Sequence, residues 1–124
     1  MTIILPIKPN EAFAILKGEK QWIYRRRKPT QPIDKILLYC SRPFSMIIGE
    51  CDVEPYVREG EINELWDQTW REAGEPEILY FAYFKNKTNG YAFKISSYKE
   101  YKPYHSIEKY GLIAAPQTFV YVKR

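Results

Sequence analysis

The run Gly18-Glu19-Lys20-Gln21-Trp22-Ile23-Tyr24-Arg25-Arg26-Arg27-Lys28 holds the densest chemistry in the sequence, closing on four consecutive cations. Clustered Lys and Arg hold phosphate oxygens, and aromatic faces stack bases. Arg25, Arg26 and Arg27 are therefore candidate phosphate ligands, and Trp22 and Tyr24 candidate stacking rings. The plain alternatives are a solvated basic strand end and rings packed into the core. Lys20 could bind a phosphate or, if desolvated, act as a base. Otherwise it is a solvated lysine just past a helix cap. Glu50 falls mid-strand, where a carboxylate needs a partner, and an Arg25–Glu50 pair would serve as scaffold or as site.

Other reactive side chains are sparse. His105 is the single histidine, lies in a Tyr-rich stretch and has no evident base or nucleophile partner, which fits a surface residue. Cys40 and Cys51 sit in apolar, strand-like segments and read as buried free thiols of a reduced compartment, with a disulfide as the alternative, and no cation adjoins Cys40 to activate it. A zinc site needs about four thiolate or imidazole ligands, which the chain cannot easily supply, so neither metal nor cofactor is expected.

Positioning these residues falls to a chain of 124 residues with 45% hydrophobic and 27% charged residues, one domain's worth (1–124) of ordinary globular composition. Eleven Tyr, six Phe and three Trp are many for this length, and the net charge of +4 is compatible with nucleic acid without demanding it. No signal-peptide pattern and no stretch approaching the ~20 apolar residues of a membrane span is present, so a soluble, cytoplasmic protein without membrane contact is expected.

Residues 3–7 read as a strand, followed by a helix opened by Pro9 with Ala12, Phe13, Ile15 and Leu16 buried and Gly18 as its stop. Residues 20–26 read as extended. Residues 33–41 form a strand apolar on both faces, hence central, and residues 46–54 another strand. Ile62, Leu65, Trp66, Trp70 and Ala73 recur at helical spacing, with both tryptophans expected in the core. Residues 77–84 are apolar nearly all round and predict a buried helix. Residues 91–97 predict a strand, then a Tyr-rich connection with a helical turn at 106–110, and a last strand at 118–122. Mixed order without regular strand–helix alternation argues α+β, with five to six strands in a curled, barrel-like sheet.

The opening Ile7-Lys8-Pro9, Ala12, Ile15-Leu16 and Gly18-x-Lys20 through Arg25 resembles that of ASCH domains, whose signature is Gly-x-Lys-x-x-Glu-x-Arg. Gly18, Lys20 and Arg25 match it, and Ile23 replaces the Glu. Leu38-Tyr39-Cys40-Ser41-Arg42-Pro43 and Ile47-Ile48-Gly49-Glu50 are similar to the family's second block. Pro116 to Val122 resembles the ending of an archaeal and phage-associated branch. The resemblance implies a PUA-like β-barrel with two or three helices over its openings and a cleft lined by the signature strand and the preceding helix. By family position, Lys8, Ser41 and Arg42 are pocket walls. In an amidohydrolase branch the signature Lys, a Thr at the Glu position and a later Glu are catalytic; an isoleucine at 23 can neither attack nor donate a proton.

The leading expectation is an RNA- or modified-nucleotide-binding domain, with DNA the other polymer it could take. The enzymatic alternative is a hydrolase of a modified nucleoside, or a ribonuclease, using Lys20 with Glu50. A third is a regulatory protein-interaction module using the Tyr-rich surface between Tyr98 and Tyr110.

Overall fold

A computed structural model describes residues 1–122. Strand β1 (Thr2–Ile7) leads into helix α1 (Pro9–Leu16), then β2 (Trp22–Arg25), β3 (Lys35–Cys40), β4 (Met46–Val53) and β5 (Arg58–Glu61). Helix α2 (Ile62–Thr69) runs into a 3-10 turn at Trp70–Glu72 and is followed by α3 (Glu77–Tyr83). The chain closes with β6 (Asn89–His105), a 3-10 turn at Ile107–Tyr110 and β7 (Val120–Val122). All seven strands join in one sheet, ordered β2-β6-β4-β3-β1-β7 with β5 on the other edge of β6.

β1 and β3 run parallel, from Thr2↔Lys35 to Ile7↔Cys40, and the remaining pairs are antiparallel. β6 is the hinge of the sheet. Its first half pairs with β2 and β5, and its second half crosses to β4 through two register shifts that bend the strand. The result is the curled α+β, PUA-like half-barrel that the sequence implies.

Three apolar clusters follow. The concave face packs Ile3, Leu5, Ile36, Leu38, Ile48 and Phe93 against Ala12 and Ile15 of α1. Trp22, Tyr24, Leu65, Tyr80 and Phe84 form an aromatic cluster beneath α2 and α3. Ile4, Leu37, Tyr39, Ile47 and Tyr101 form a third on the outer face, covered by Ile107, Tyr110, Leu112 and Val120.

Four expectations need correction. β6 runs to His105 rather than stopping near Ser97, because the exposed residues Ser96–Glu100 carry no apolar alternation yet continue the backbone ladder with β4. β5 has only Arg-Glu-Gly-Glu to announce it. Trp70 is 48% exposed rather than core: α2 breaks at Thr69, whose hydroxyl turns back to the Leu65 carbonyl, and the tighter turn rotates Trp70 outward. Helix α3 forms as expected but is not buried all round, since Ile78 and Leu79 face solvent while Tyr80 faces in. No helix among the described residues is long and apolar enough to cross a membrane.

Candidate functional site

Lys20 is the organising residue. Its side chain leaves the turn after α1, where Gly18 has a φ of +76°, and is buried. Its Nζ donates to the Ala73 carbonyl at 2.9 Å and to Glu75 Oε1 at 2.6 Å, and lies 3.5 Å from Glu11. The Tyr24 ring supplies a π face 5.0 Å from the same nitrogen. Two hydrogen-bond acceptors, a further carboxylate and a ring face thus surround the nitrogen, the setting of a hydrogen-bond donor. The loop carrying Ala73 and Glu75 reaches it because Gly74, at φ +67°, has no side chain: a Cβ there would lie 2.6 Å from Lys20 Cβ and 2.8 Å from the Glu19 carbonyl oxygen. The Gln21 amide donating to the Glu72 carbonyl at 2.9 Å fastens the same loop.

Arg25 shares Glu11 with Lys20. Its guanidinium lies 3.7 Å from that carboxylate and donates to the carbonyls of Tyr24, at 2.6 Å, and Pro6, at 3.3 Å. Glu11 therefore bridges the two signature cations from α1. Ile23 is fully buried in the concave core, and the carboxylate that lies near both cations comes from α1. Lys8, exposed at the start of α1, and Ser41, half-buried after β3, meet at the same end of the parallel pair, where the Ser41 amide donates to the Ile7 carbonyl at 3.0 Å. Arg42 follows in the exposed turn.

The remaining candidates are placed differently. Trp22 and Tyr24 are buried in the aromatic cluster and offer no face to a base, which corrects the stacking role expected of them. Tyr24 Oη instead pairs with Thr69 Oγ1 at 2.6 Å, and burial pushes its phenol well above the ordinary range. Arg26 Nε donates to the Tyr83 carbonyl at 2.8 Å, closing the C-terminal end of α3, while Arg27 is exposed. Glu50 does not meet Arg25 or Lys20. Its carboxylate is held by Lys35 Nζ and by Tyr101 Oη, the latter at 2.8 Å, on the outer face that it shares with Leu37. Burial pushes Glu50 up, but those hydrogen bonds more than offset it and hold the group below its ordinary range. A depression of about 710 Å³ lies beside Lys35 and Asp52, not beside Lys20.

His105 is not the isolated surface residue expected. It stacks on Tyr101 with centroids 4.1 Å apart, and its Nδ1 lies 2.6 Å from Tyr110 Oη. Cys40 and Cys51 are free and buried, and burial pushes Cys51 up to about 12, which leaves its thiol inert near neutrality. No cluster of metal-ligating side chains occurs among the described residues.

Sequence reasoning missed Glu11 and Glu75. Glu11 was recoverable, since it stands one helical turn before buried Ile15 and so faces the sheet. Glu75 left no local signal, because only the close approach of its loop brings it to Lys20.

No family model matches the chain. An ASCH domain-containing ribonuclease of Zymomonas mobilis is 32% identical over 101 residues, which are 81% of this chain and 68% of that protein. The crystal structure of ASCH from Zymomonas mobilis superposes with a TM-score of 0.89 at 26% identity, over 99% of this chain and 88% of that one. The N-terminal domain of Staphylothermus marinus McrB matches in fold alone, with a TM-score of 0.56 and 14% identity over 92% of this chain and 81% of its own. The archaeal and phage-associated placement drawn from the C-terminal residues gains no support from these likenesses. The Gly18, Lys20 and Arg25 signature, the curled sheet that carries it and the 32% identity agree: the chain belongs to the ASCH-domain family.

Proposed function

We propose that this chain binds RNA at the end of the β1–β3 pair, where Lys8, Arg25, Ser41 and Arg42 surround an anion. The observation that carries this is the convergence of Lys20 and Arg25 on Glu11 beside the exposed Lys8. Glu11 fixes the guanidinium of Arg25, and a guanidinium fixed before the ligand arrives loses little entropy on binding phosphate. Lys8 and Arg42 add exposed positive charge, and Ser41 adds a hydroxyl suited to a phosphate or 2′-hydroxyl. The Zymomonas mobilis relative, named a ribonuclease, makes RNA the first polymer to test. Fluorescence anisotropy with matched RNA and DNA oligomers across a salt series tests the proposal. Salt-dependent micromolar binding that favours RNA is expected, and no binding, or binding indifferent to salt, would overturn it.

A second function, RNA cleavage, is favoured by the contact between Lys20 and Glu75 beside the Tyr24–Thr69 hydroxyl pair. A carboxylate can take the proton of a 2′-hydroxyl as that oxygen bonds to phosphorus and the 5′-oxygen leaves with a proton, while a buried cation stabilises the charge that develops on the phosphoryl oxygens. Cleavage lost in Glu75→Gln with binding retained would support it. Glu50 could serve only in a separate site on the outer face. Hydrolysis of a modified nucleoside would need its hydroxyl from Tyr24 or Thr69, because Ile23 has none.

A further inference from the structure

We infer that a second cationic surface, formed by Arg26, Arg27 and Lys28 after β2 and by Lys85 and Lys87 after α3, holds the single strand flanking the nucleotide bound beside Arg25. The inference rests on the RNA-binding proposal and extends it to a part of the molecule that the family signature does not reach.

These cations are far apart in sequence, and the fold gathers them. Arg26 donates to the carbonyl of Tyr83, two residues before Lys85. The Lys85 and Lys87 amides donate to the carbonyls of Ala82 and Phe84, at 3.3 and 2.9 Å, winding the turn tightly after the helix. Lys28 lies with its Nζ 5.8 Å from the centre of the Tyr91 ring, at the start of β6. All five side chains are exposed, and none joins an ion pair among the described residues. Of the carboxylates across this end of β6, Glu61 is spent capping α2 through the amides of Asn63 and Glu64, which leaves Glu59 opposite Tyr91.

The rings favour a nucleic acid over another polyanion. Arg26 is fixed by the Tyr83 carbonyl and lies over the Tyr83 ring at 4.6 Å, so its guanidinium has one covered face and one open one. A flat cation held this way is a platform on which an unpaired base can stack. Tyr91 is half-buried and offers a second ring beside Lys28. Arg25 ends β2 and reaches Glu11 and the Pro6 carbonyl, whereas Arg26, in the bend just past the strand, reaches the Tyr83 carbonyl after α3. One strand of RNA passing the end of β2 thus touches Arg25 and this surface in turn.

The test uses the full chain, a twenty-nucleotide polyuridylate and the mononucleotide UMP. If each of the five cations neutralises one phosphate, they contribute about −3.5 to the slope of log affinity against log salt, at about −0.7 per contact on a single strand. The double variant Lys85→Glu/Lys87→Glu should flatten the slope by about 1.4 and weaken polyuridylate at least tenfold at ~100 mM salt. Its affinity for UMP and its unfolding midpoint should stay at wild type, since both lysines are exposed and bear on no catalytic or cleft contact. Arg25→Ala should weaken both ligands. A double variant with wild-type affinity and slope for polyuridylate would overturn this inference while leaving RNA binding beside Arg25 standing. A wild-type chain that binds neither ligand would overturn both. Competition by polyglutamate as effective as that by RNA would overturn the assignment to nucleic acid.

Discussion

Replacing Gly74 by alanine tests whether the loop from Ala73 to Glu75 is built around its contact with Lys20. The protein supplies its own control in Gly111. Both glycines are left-handed, at φ +67° and +81°, but a Cβ on Gly111 meets nothing within 4 Å whereas one on Gly74 meets Lys20 and Glu19. The left-handed conformation costs an alanine about 1 kcal/mol, and stiffening the unfolded chain returns about 0.7 kcal/mol at either site. Gly111→Ala should therefore destabilise by only about 0.3 kcal/mol. At Gly74 the new methyl would stand 2.6–2.8 Å from two carbons of Lys20 and the carbonyl oxygen of Glu19, and two of those three atoms belong to the backbone. Overpacking of this kind costs about 1–3 kcal/mol. Relief by moving the loop lengthens the charged hydrogen bond from Lys20 to the Ala73 carbonyl, worth about 1.5–3 kcal/mol. Either route puts Gly74→Ala about 1–3 kcal/mol below Gly111→Ala. Urea unfolding of the two variants, compared by midpoint at a shared slope, reads that difference directly. Equal stabilities within about 0.5 kcal/mol would show that the loop moves away without cost and that it does not hold Lys20 in place.

Two further substitutions probe the polar groups on either face of the sheet. Tyr24→Phe removes one buried hydrogen bond while Thr69 keeps the Leu65 carbonyl at 2.7 Å, so a loss of about 1 kcal/mol is expected in urea unfolding. A carboxylate lowered on folding, as Glu50 is, stabilises the fold above its unfolded value and loses that contribution as pH falls through the folded one. The stability gap between wild type and Glu50→Gln should thus hold steady near neutrality and shrink as the buffer is taken below the ordinary carboxylate value of 4.5. A gap equally wide in acid would remove Glu50 as a charged partner of Lys35.

The parts of this fold that bury side chains were legible in the sequence, and the parts that pair backbone were not. β3 is apolar on both faces because β1 and β4 flank it and clusters cover both sides, so a run such as Ile36-Leu37-Leu38 declares itself. β5 and the second half of β6 are held by ladder bonds that any residue can make, and their exposed side chains carry no pattern. The site divides in the same way. Lys20 and Arg25 were visible as a spaced motif, whereas the carboxylate meeting Lys20 comes from residue 75, delivered by a loop whose approach depends on a glycine. Glu50 was chosen for its place in a strand, but strand position fixes only a face, and that face looks away from Lys20. Trp70 keeps the spacing of a helical repeat that continues to Ala73, but the α-helix breaks at Thr69 and spacing alone does not show the break.

The bent β6 strand also bears on how the chain folds as it leaves the ribosome. β2 has one ladder partner, and Trp22 does not meet Lys94 until most of the chain has been synthesised. Until then the amides of β2 stay solvated and Trp22 and Tyr24 lack the aromatic cluster that later encloses them. β1, β3 and β4 come out early enough to pair, but the other edge of β4 waits for the far half of β6, and the outer edge of β1 waits for β7 at Val120. A sheet wired through such distant contacts closes late. Its basic segment and its apolar strand emerge together, unpaired, with RNA close at hand.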